Sequence, residues 1–200
     1  MKSKIYLRFI LGVIKHPTQF SQRLRELRRI STEPDLNQSV PMNDVVDVKI
    51  VPVPAGDESL RQELVRMYAD NPSPYLNGPK TMEKFLQCSS RGVRYFLFAN
   101  SDGEYVCARS YDSATGLLQN AVTDFNHRGK GYQVAAGFSL MKLLYDEGLR
   151  EVKTTVLKSN SRMQRLMMAR GWEIEDDEKN PDLLRGTLSL DALFMQNKAA

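Results

Sequence analysis

The sequence predicts an α/β domain built on a mixed, mostly antiparallel sheet flanked by helices, with a basic helical extension at its N-terminus. Three observations predict it. Residues 116–123 read as a strand and run through Arg128-Gly129-Lys130-Gly131 into a long apolar helix pattern. A second strand pattern at 149–157 and a second helix pattern at 162–170 follow that helix. Upstream, strand patterns at 93–99 and 104–111 flank Asn100-Ser101-Asp102-Gly103, a strong hairpin-turn signal.

In chain order, residues 45–53 form the first expected strand. Residues 59–69 form a helix with Leu60, Leu64 and Met67 inward, and 81–88 a shorter one. Between them, Pro72, Pro74 and Pro79 stiffen a loop. The long helix carries Val134, Phe138, Met141 and Tyr145 at helical spacing, widened by Ala135, Ala136, Leu140 and Leu144. Gly148 ends it. Residues 149–157 are β-branched and strand-like. Asn160 and Ser161 are N-cap types ahead of a helix bearing Met163, Leu166 and Met167, closed by Gly171-Trp172. Residues 185–190 are the last expected strand.

Composition sets the class. With 200 residues, 42% hydrophobic and 26% charged, the chain suits one soluble domain with a real core. Cys88 and Cys107 sit in apolar or helical patterns and read as reduced core thiols of a cytoplasmic protein. His16 and His127 are too few and too far apart for a metal site, so none is expected. The net charge of +4 is uneven: residues 1–30 hold eight Lys and Arg against Glu26 alone, a local +7 that leaves −3 on the other 170 residues.

That basic arm contains an apolar stretch at 5–14, too short to span a bilayer, and Phe20, Leu24 and Leu27 form one amphipathic stripe. Three roles stay open: packing on its own domain or in a homodimer, docking on an anionic membrane surface (a membrane-peripheral location), or docking on an acidic protein. Nucleic-acid binding is not expected, because no recognition motif or aromatic stacking platform accompanies the charge. Residues 31–44 read as a linker and 45–200 as the main domain.

The corner at 128–133 carries the chemistry. Gly129 and Gly131 allow positive φ and close approach to the main chain. Unpaired amides and the positive end of the following helix face one point, and Arg128 and Lys130 add charge. Such a corner holds a phosphate-bearing group. It is not a Walker A loop, since no Gly-Lys-Ser/Thr follows a four-residue gap, nor a Gly-x-Gly-x-x-Gly dinucleotide turn.

Arg128-Gly129-Lys130-Gly131, with Asn160, Leu166 and Gly171-Trp172 downstream, resembles the GNAT superfamily of acyl-CoA-dependent acetyltransferases. The resemblance covers about residues 45 to 190 in element order and is sharp over 122–172. It implies acetyl-CoA as co-substrate and no metal. It implies that the loop amides over Arg128, Gly129, Lys130, Gly131, Tyr132 and Gln133 meet the pyrophosphate. It further implies that the strand ending at Val122 and Thr123 holds the pantetheine arm, and that Asn160 lies near the thiol arm. Two positions depart from the family pattern. Gln133 stands where Gly or Ala is usual, and Met167 where a Tyr often protonates the leaving thiolate.

The function this implies is acetyl transfer from acetyl-CoA directly to an amine of unknown identity: a small molecule or a protein amine. Asp124 is the leading general-base candidate, lying between strand end and loop, with Glu104 and Asp112 as alternatives. Tyr105 or Tyr111 could supply a proton in place of Met167. A backbone amide near Val122 or Thr123 would meet the oxyanion if the strand splays or bulges there. Cys107 is not expected to be a covalent nucleophile. Tyr75, in the proline-rich loop, is the acceptor-binding candidate. The alternative reading is a catalytically weak acyl-CoA-binding or scaffold module acting through its basic arm.

Overall fold

The computed structural model describes residues 46–71 and 78–195. The basic arm, the linker and Tyr75 lie outside the described residues.

The elements run β1 (Lys49–Pro52), α1 (Glu58–Ala69), α2 (Met82–Ser89), β2 (Val93–Ala99), β3 (Tyr105–Asp112), β4 (Leu117–Thr123), a 3-10 turn (Phe125–His127), α3 (Tyr132–Asp146), β5 (Glu151–Leu157), α4 (Ser161–Met168), β6 (Glu173–Asp176), β7 (Leu183–Ser189) and α5 (Leu190–Met195). The seven strands form one sheet in the order β1-β2-β3-β4-β5-β7-β6. Every neighbouring pair is antiparallel except β4 and β5. The mixed, mostly antiparallel sheet flanked by helices is the architecture expected from the sequence.

Both sheet faces are covered, so β2 reads from Tyr95 to Ala99 as a continuous buried run rather than an alternating one. On one face Phe96, Phe98, Cys107, Leu118, Val152 and Leu188 meet Ala136, Leu140 and Leu144 of α3 and Phe194 of α5. On the other, Leu64, Met67 and Tyr68 of α1 and Phe85 of α2 are fully buried, and Phe85 lies 5.2 Å from the Tyr95 ring.

Two elements were not legible as such. β6 is a short edge strand of Glu173-Ile174-Glu175-Asp176, whose charges suit a sheet edge but hide the strand pattern. The last strand was expected to run from 185 to 190, whereas β7 spans Leu183–Ser189. Leu190 instead opens α5, with Ser189 Oγ accepting from Ala192 N at 3.3 Å. The first strand is also shorter than expected, since pairing with β2 spans Lys49–Pro52.

One relationship in the sheet positions the site. Between the parallel neighbours β4 and β5, register pairing occurs only at Leu117 and Lys153 among the described residues, where Lys153 N donates to Gly116 O at 3.0 Å. Thr154 Oγ1 then bridges to Leu118 O at 2.9 Å. Beyond that point no β5 residue pairs in register with β4 among the described residues.

Candidate active site

β4 bends where it parts from β5. Ala108 of β3 pairs with Val122 and Ser110 with Gln119, so Arg109 alone faces both Asn120 and Ala121. That is a β-bulge. Asn120 takes φ 55°, the one positive φ at a non-glycine among the described residues. Side chains hold this conformation. Asn120 Nδ2 donates to Ser110 Oγ at 3.0 Å, and Ser110 Oγ donates to Gln119 O at 3.3 Å. Tyr68 OH, fully buried at the end of α1, donates to Asn120 O at 2.6 Å. Burial raises the Tyr68 phenol well above its ordinary pKa, so it stays a donor. A trans peptide points its N–H away from its C=O. The Ala121 amide therefore faces away from Tyr68. The bulge falls one residue before Val122, the earlier of the two positions expected to offer an oxyanion donor.

β4 leads into the corner. Asp124 N donates to Val106 O at 2.9 Å, and the Asp124 carboxylate accepts from Asn126 N at 3.0 Å, capping the 3-10 turn. Gly129 and Gly131 take φ 77° and 82°. Gly131 is the N-cap of α3 and provides no side-chain cap, and no acid stands in the helix's first turn. Every other described α-helix has a side-chain cap, from Asp57, Thr81, Asn160 or Ser189. The first amides of α3 thus lack helical partners. Among the described residues, a Cβ built on Gly131 would meet only Val46 Cγ2, at 3.9 Å. Among the described residues the corner is uncovered and donor-rich, which fits a phosphate group.

The predicted cofactor residues divide into two kinds. The backbone at Gly129, Lys130, Gly131, Tyr132 and Gln133 lies in the corner, and Lys130 is exposed there. Arg128 instead folds back, bonding Asn71 Oδ1, while its Nε donates to Thr123 O at 3.5 Å. The Gln133 side chain also turns away from the corner: its Nε2 donates to Val122 O at 2.5 Å and its Oε1 accepts from Arg109 Nε at 3.0 Å. Asn160, exposed beyond the end of β5, caps α4 by accepting from Met163 N at 3.1 Å.

The three carboxylates are not equivalent. Asp112 sits at the opposite end of β4, paired with Leu117, where its Oδ1 accepts from Ala114 N at 3.0 Å. Six residues of strand, about 20 Å, separate that end from Thr123. Asp112 therefore serves the turn, at the end of β4 away from Thr123. Asp124 and Glu104 do come together, around His127. His127 Nε2 lies 3.3 Å from Glu104 Oε2, and Nδ1 lies 3.4 Å from Asp124 Oδ1. Asp124 is also 3.8 Å from Arg66 and serves the turn, so its oxygens are committed. Glu104 has a side chain 59% exposed. Hydrogen bonds from Asn100 and then His127 lower its pKa. His127 is the residue that sequence reasoning missed; the signal was its place three residues after Asp124.

Two other side chains have settled roles. Met167, 5% exposed, packs over Gly186, where an added Cβ would fall 2.3 Å from its Cε. It is a core residue. Cys107 is buried, and burial pushes its thiol up to about 11. Among the described residues no cluster could hold a metal ion, and no helix is long and apolar enough to cross a membrane.

No protein-family model and no curated protein sequence matches the chain. Solved structures do. The spermidine/spermine N-acetyltransferase SpeG from Vibrio cholerae matches with TM-score 0.57 at 12% identity, covering 76% of this chain and 98% of its own. An acetyltransferase from Thermus thermophilus matches with TM-score 0.54 at 23% identity, covering 72% and 98%. A GNAT-family acetyltransferase from Staphylococcus aureus matches with TM-score 0.53 at 12% identity, covering 72% and 99%. These matches give the chain the GNAT fold.

Proposed function

We propose that the protein is an N-acetyltransferase that moves an acetyl group from acetyl-CoA directly to an amine. The observation that carries this is the uncapped, glycine-hinged start of α3, placed at the end of a strand that leaves its neighbour. Acetyl-CoA supplies the activated acyl carbon. The loop amides of residues 129–133 and exposed Lys130 would hold its diphosphate. The stretch of β4 left without a β5 partner would hold its pantetheine arm, and the Ala121 amide would meet the oxyanion.

In the reaction the amine nitrogen bonds the acyl carbon, the C–S bond breaks, and the sulfur leaves as thiolate. The ammonium must first lose a proton. Glu104 is the best-placed base of the three candidates, since it is exposed and ionised and shares His127 with Asp124. Its charge also favours a cationic acceptor. SpeG, which shares the fold, is a spermidine/spermine N-acetyltransferase, so polyamines head the panel of acceptors. Positioning two reactants can supply about 7–11 kcal/mol in favourable cases, and a proton acceptor about 10²–10⁴-fold. With Met167 in the core, the thiolate takes its proton from solvent. Covalent transfer through Cys107 is disfavoured by its burial and raised pKa.

A homodimer and a role of residues 1–30 in membrane or protein docking belong to the same proposal. The scaffold reading rests on that arm, and no described residue favours it. The test is free-thiol release from acetyl-CoA across a panel of polyamines, amino sugars, amino acids and peptide N-termini. Acceptor-dependent release is expected. Release with none of them, despite tight cofactor binding, would overturn the catalytic reading.

A further inference from the structure

Arg109 is a partly buried cation with no carboxylate paired to it among the described residues. It projects from the bulge position of β3 against the first turns of α3. Its Nε donates to Gln133 Oε1 and its NH2 to Gln133 O, both at 3.0 Å. Gly137 makes room for it: a Cβ there would lie 3.1 Å from the guanidinium. The nearest groups that act on its charge are Cys107, Tyr68 and Arg170, and burial lowers its pKa. Arg170 is a second partly buried cation and repels it. No ion pair to Arg109 or Arg170 occurs among the described residues.

The placement is electrostatically adverse in three ways. A guanidinium is costly to bury without a counter-charge. It stands beside the positive end of a helix, where a cation is disfavoured. A like charge lies near. The fold nevertheless secures it, through a glutamine at a position that the glycine corner would leave small. The same Gln133 reaches on to Val122 O at 2.5 Å, so it ties β4, α3 and Arg109 together.

We propose that Arg109 is the buried counter-charge for the acyl donor's diphosphate, with Gln133 as the strut that holds it behind the phosphate corner. This rests on the acetyl-CoA reading of that corner. Arg109 is a positioning and electrostatic residue rather than a catalytic one: it strengthens the positive potential that the loop amides present. Its adverse setting in the free protein is relieved when two negative charges arrive.

The proposal predicts an opposition between stability and affinity. Arg109→Met should leave the unfolding midpoint of the ligand-free full chain unchanged or raised. It should also weaken binding of coenzyme A and of ADP by a common factor of at least about tenfold, which is 1.4 kcal/mol. Arg109→Lys, which keeps a charge but loses the fork, should fall between. The overturning result is Arg109→Met binding both ligands as the natural chain does, or a lowered ligand-free midpoint with unaltered affinity in the folded fraction. If Arg109→Met does not fold, Arg109→Lys decides: full affinity with reduced stability would overturn the proposal, and reduced affinity at full stability would support it. Failure of the natural chain to bind coenzyme A would be a different result, removing the reading of the corner and this inference with it.

Discussion

The buried hydroxyl of Tyr68 donates to the carbonyl of Asn120 at 2.6 Å, so the last turn of α1 fixes the peptide on which β4 bends. The Asn120–Ala121 peptide is the bulge peptide of β4, and its amide is the proposed oxyanion donor. Tyr68→Phe removes one hydroxyl and leaves a carbonyl unsatisfied, which costs about 1–3 kcal/mol. A lost or misaimed oxyanion donor lowers turnover by about 10²–10³-fold. We therefore expect a lowered kcat with an almost unchanged KM for acetyl-CoA. Steady-state kinetics and urea unfolding check both halves; an unchanged kcat would remove the Ala121 amide from the chemistry.

Gly78 supports the same arrangement from the other side. A Cβ there would fall 2.2 Å from the Tyr68 ring, a rigid group that cannot swing away. Gly78→Ala should destabilise by about 1–3 kcal/mol and lower kcat as Tyr68→Phe does. Thermal unfolding and turnover of this variant report together; a stable, fully active Gly78→Ala protein would contradict the packing described.

Cys107 separates direct from covalent transfer. With its thiol buried and pushed up to about 11, it should resist alkylation at neutral pH in the native state and react only on unfolding. Cys107→Ala should keep turnover within about threefold, the effect of a small packing change of less than 1 kcal/mol. An acetylated Cys107 seen by mass spectrometry after acetyl-CoA alone would establish a covalent route instead.

The acceptor's charge gives a pH signature. The folded-state pKa of Glu104 is lowered by Asn100 and His127. Its carboxylate therefore persists as pH falls through the ordinary range near 4.3, and its effect is lost only below that, through the lowered value. Any stability it confers follows the same window and is small, because the group is solvated. Glu104→Gln should raise KM for a cationic amine about two- to fivefold near neutrality, the worth of an exposed ion pair. The same variant should leave a neutral acceptor analogue's KM unchanged. Equal effects on charged and neutral acceptors would remove the electrostatic role.

Much of this was legible in the sequence because local signals agreed with the fold. Asn100-Ser101-Asp102-Gly103 does turn the β2–β3 hairpin, with Asn100 Oδ1 accepting from Asp102 N and Glu104 N. Gly129 and Gly131 do take positive φ, and the apolar face of α3 is the core face. What stayed hidden depends on partners distant in sequence. Arg109 meets Gln133 only because a bulge and a helix start face each other. His127 joins Glu104 across 23 positions, and Tyr68 reaches Asn120 across 52. β6 was hidden because its exposed, acidic residues carry no apolar period. That Asp112 and Asp124 lie at opposite ends of β4 was hidden too, because it depends on the pairing of β3 with β4.

The most direct measurement is calorimetric titration of the full chain and of Gly131→Asp with acetyl-CoA. A residue with φ +82° strains any L side chain by about 1–2 kcal/mol, which Gly131→Ala would isolate as a modest loss of stability with measurable binding retained. Gly131→Asp adds a carboxylate at the proposed diphosphate site. The account predicts saturable one-to-one binding to the natural chain and none to folded Gly131→Asp. Equal affinity in the two proteins, or no heat from either, would contradict it.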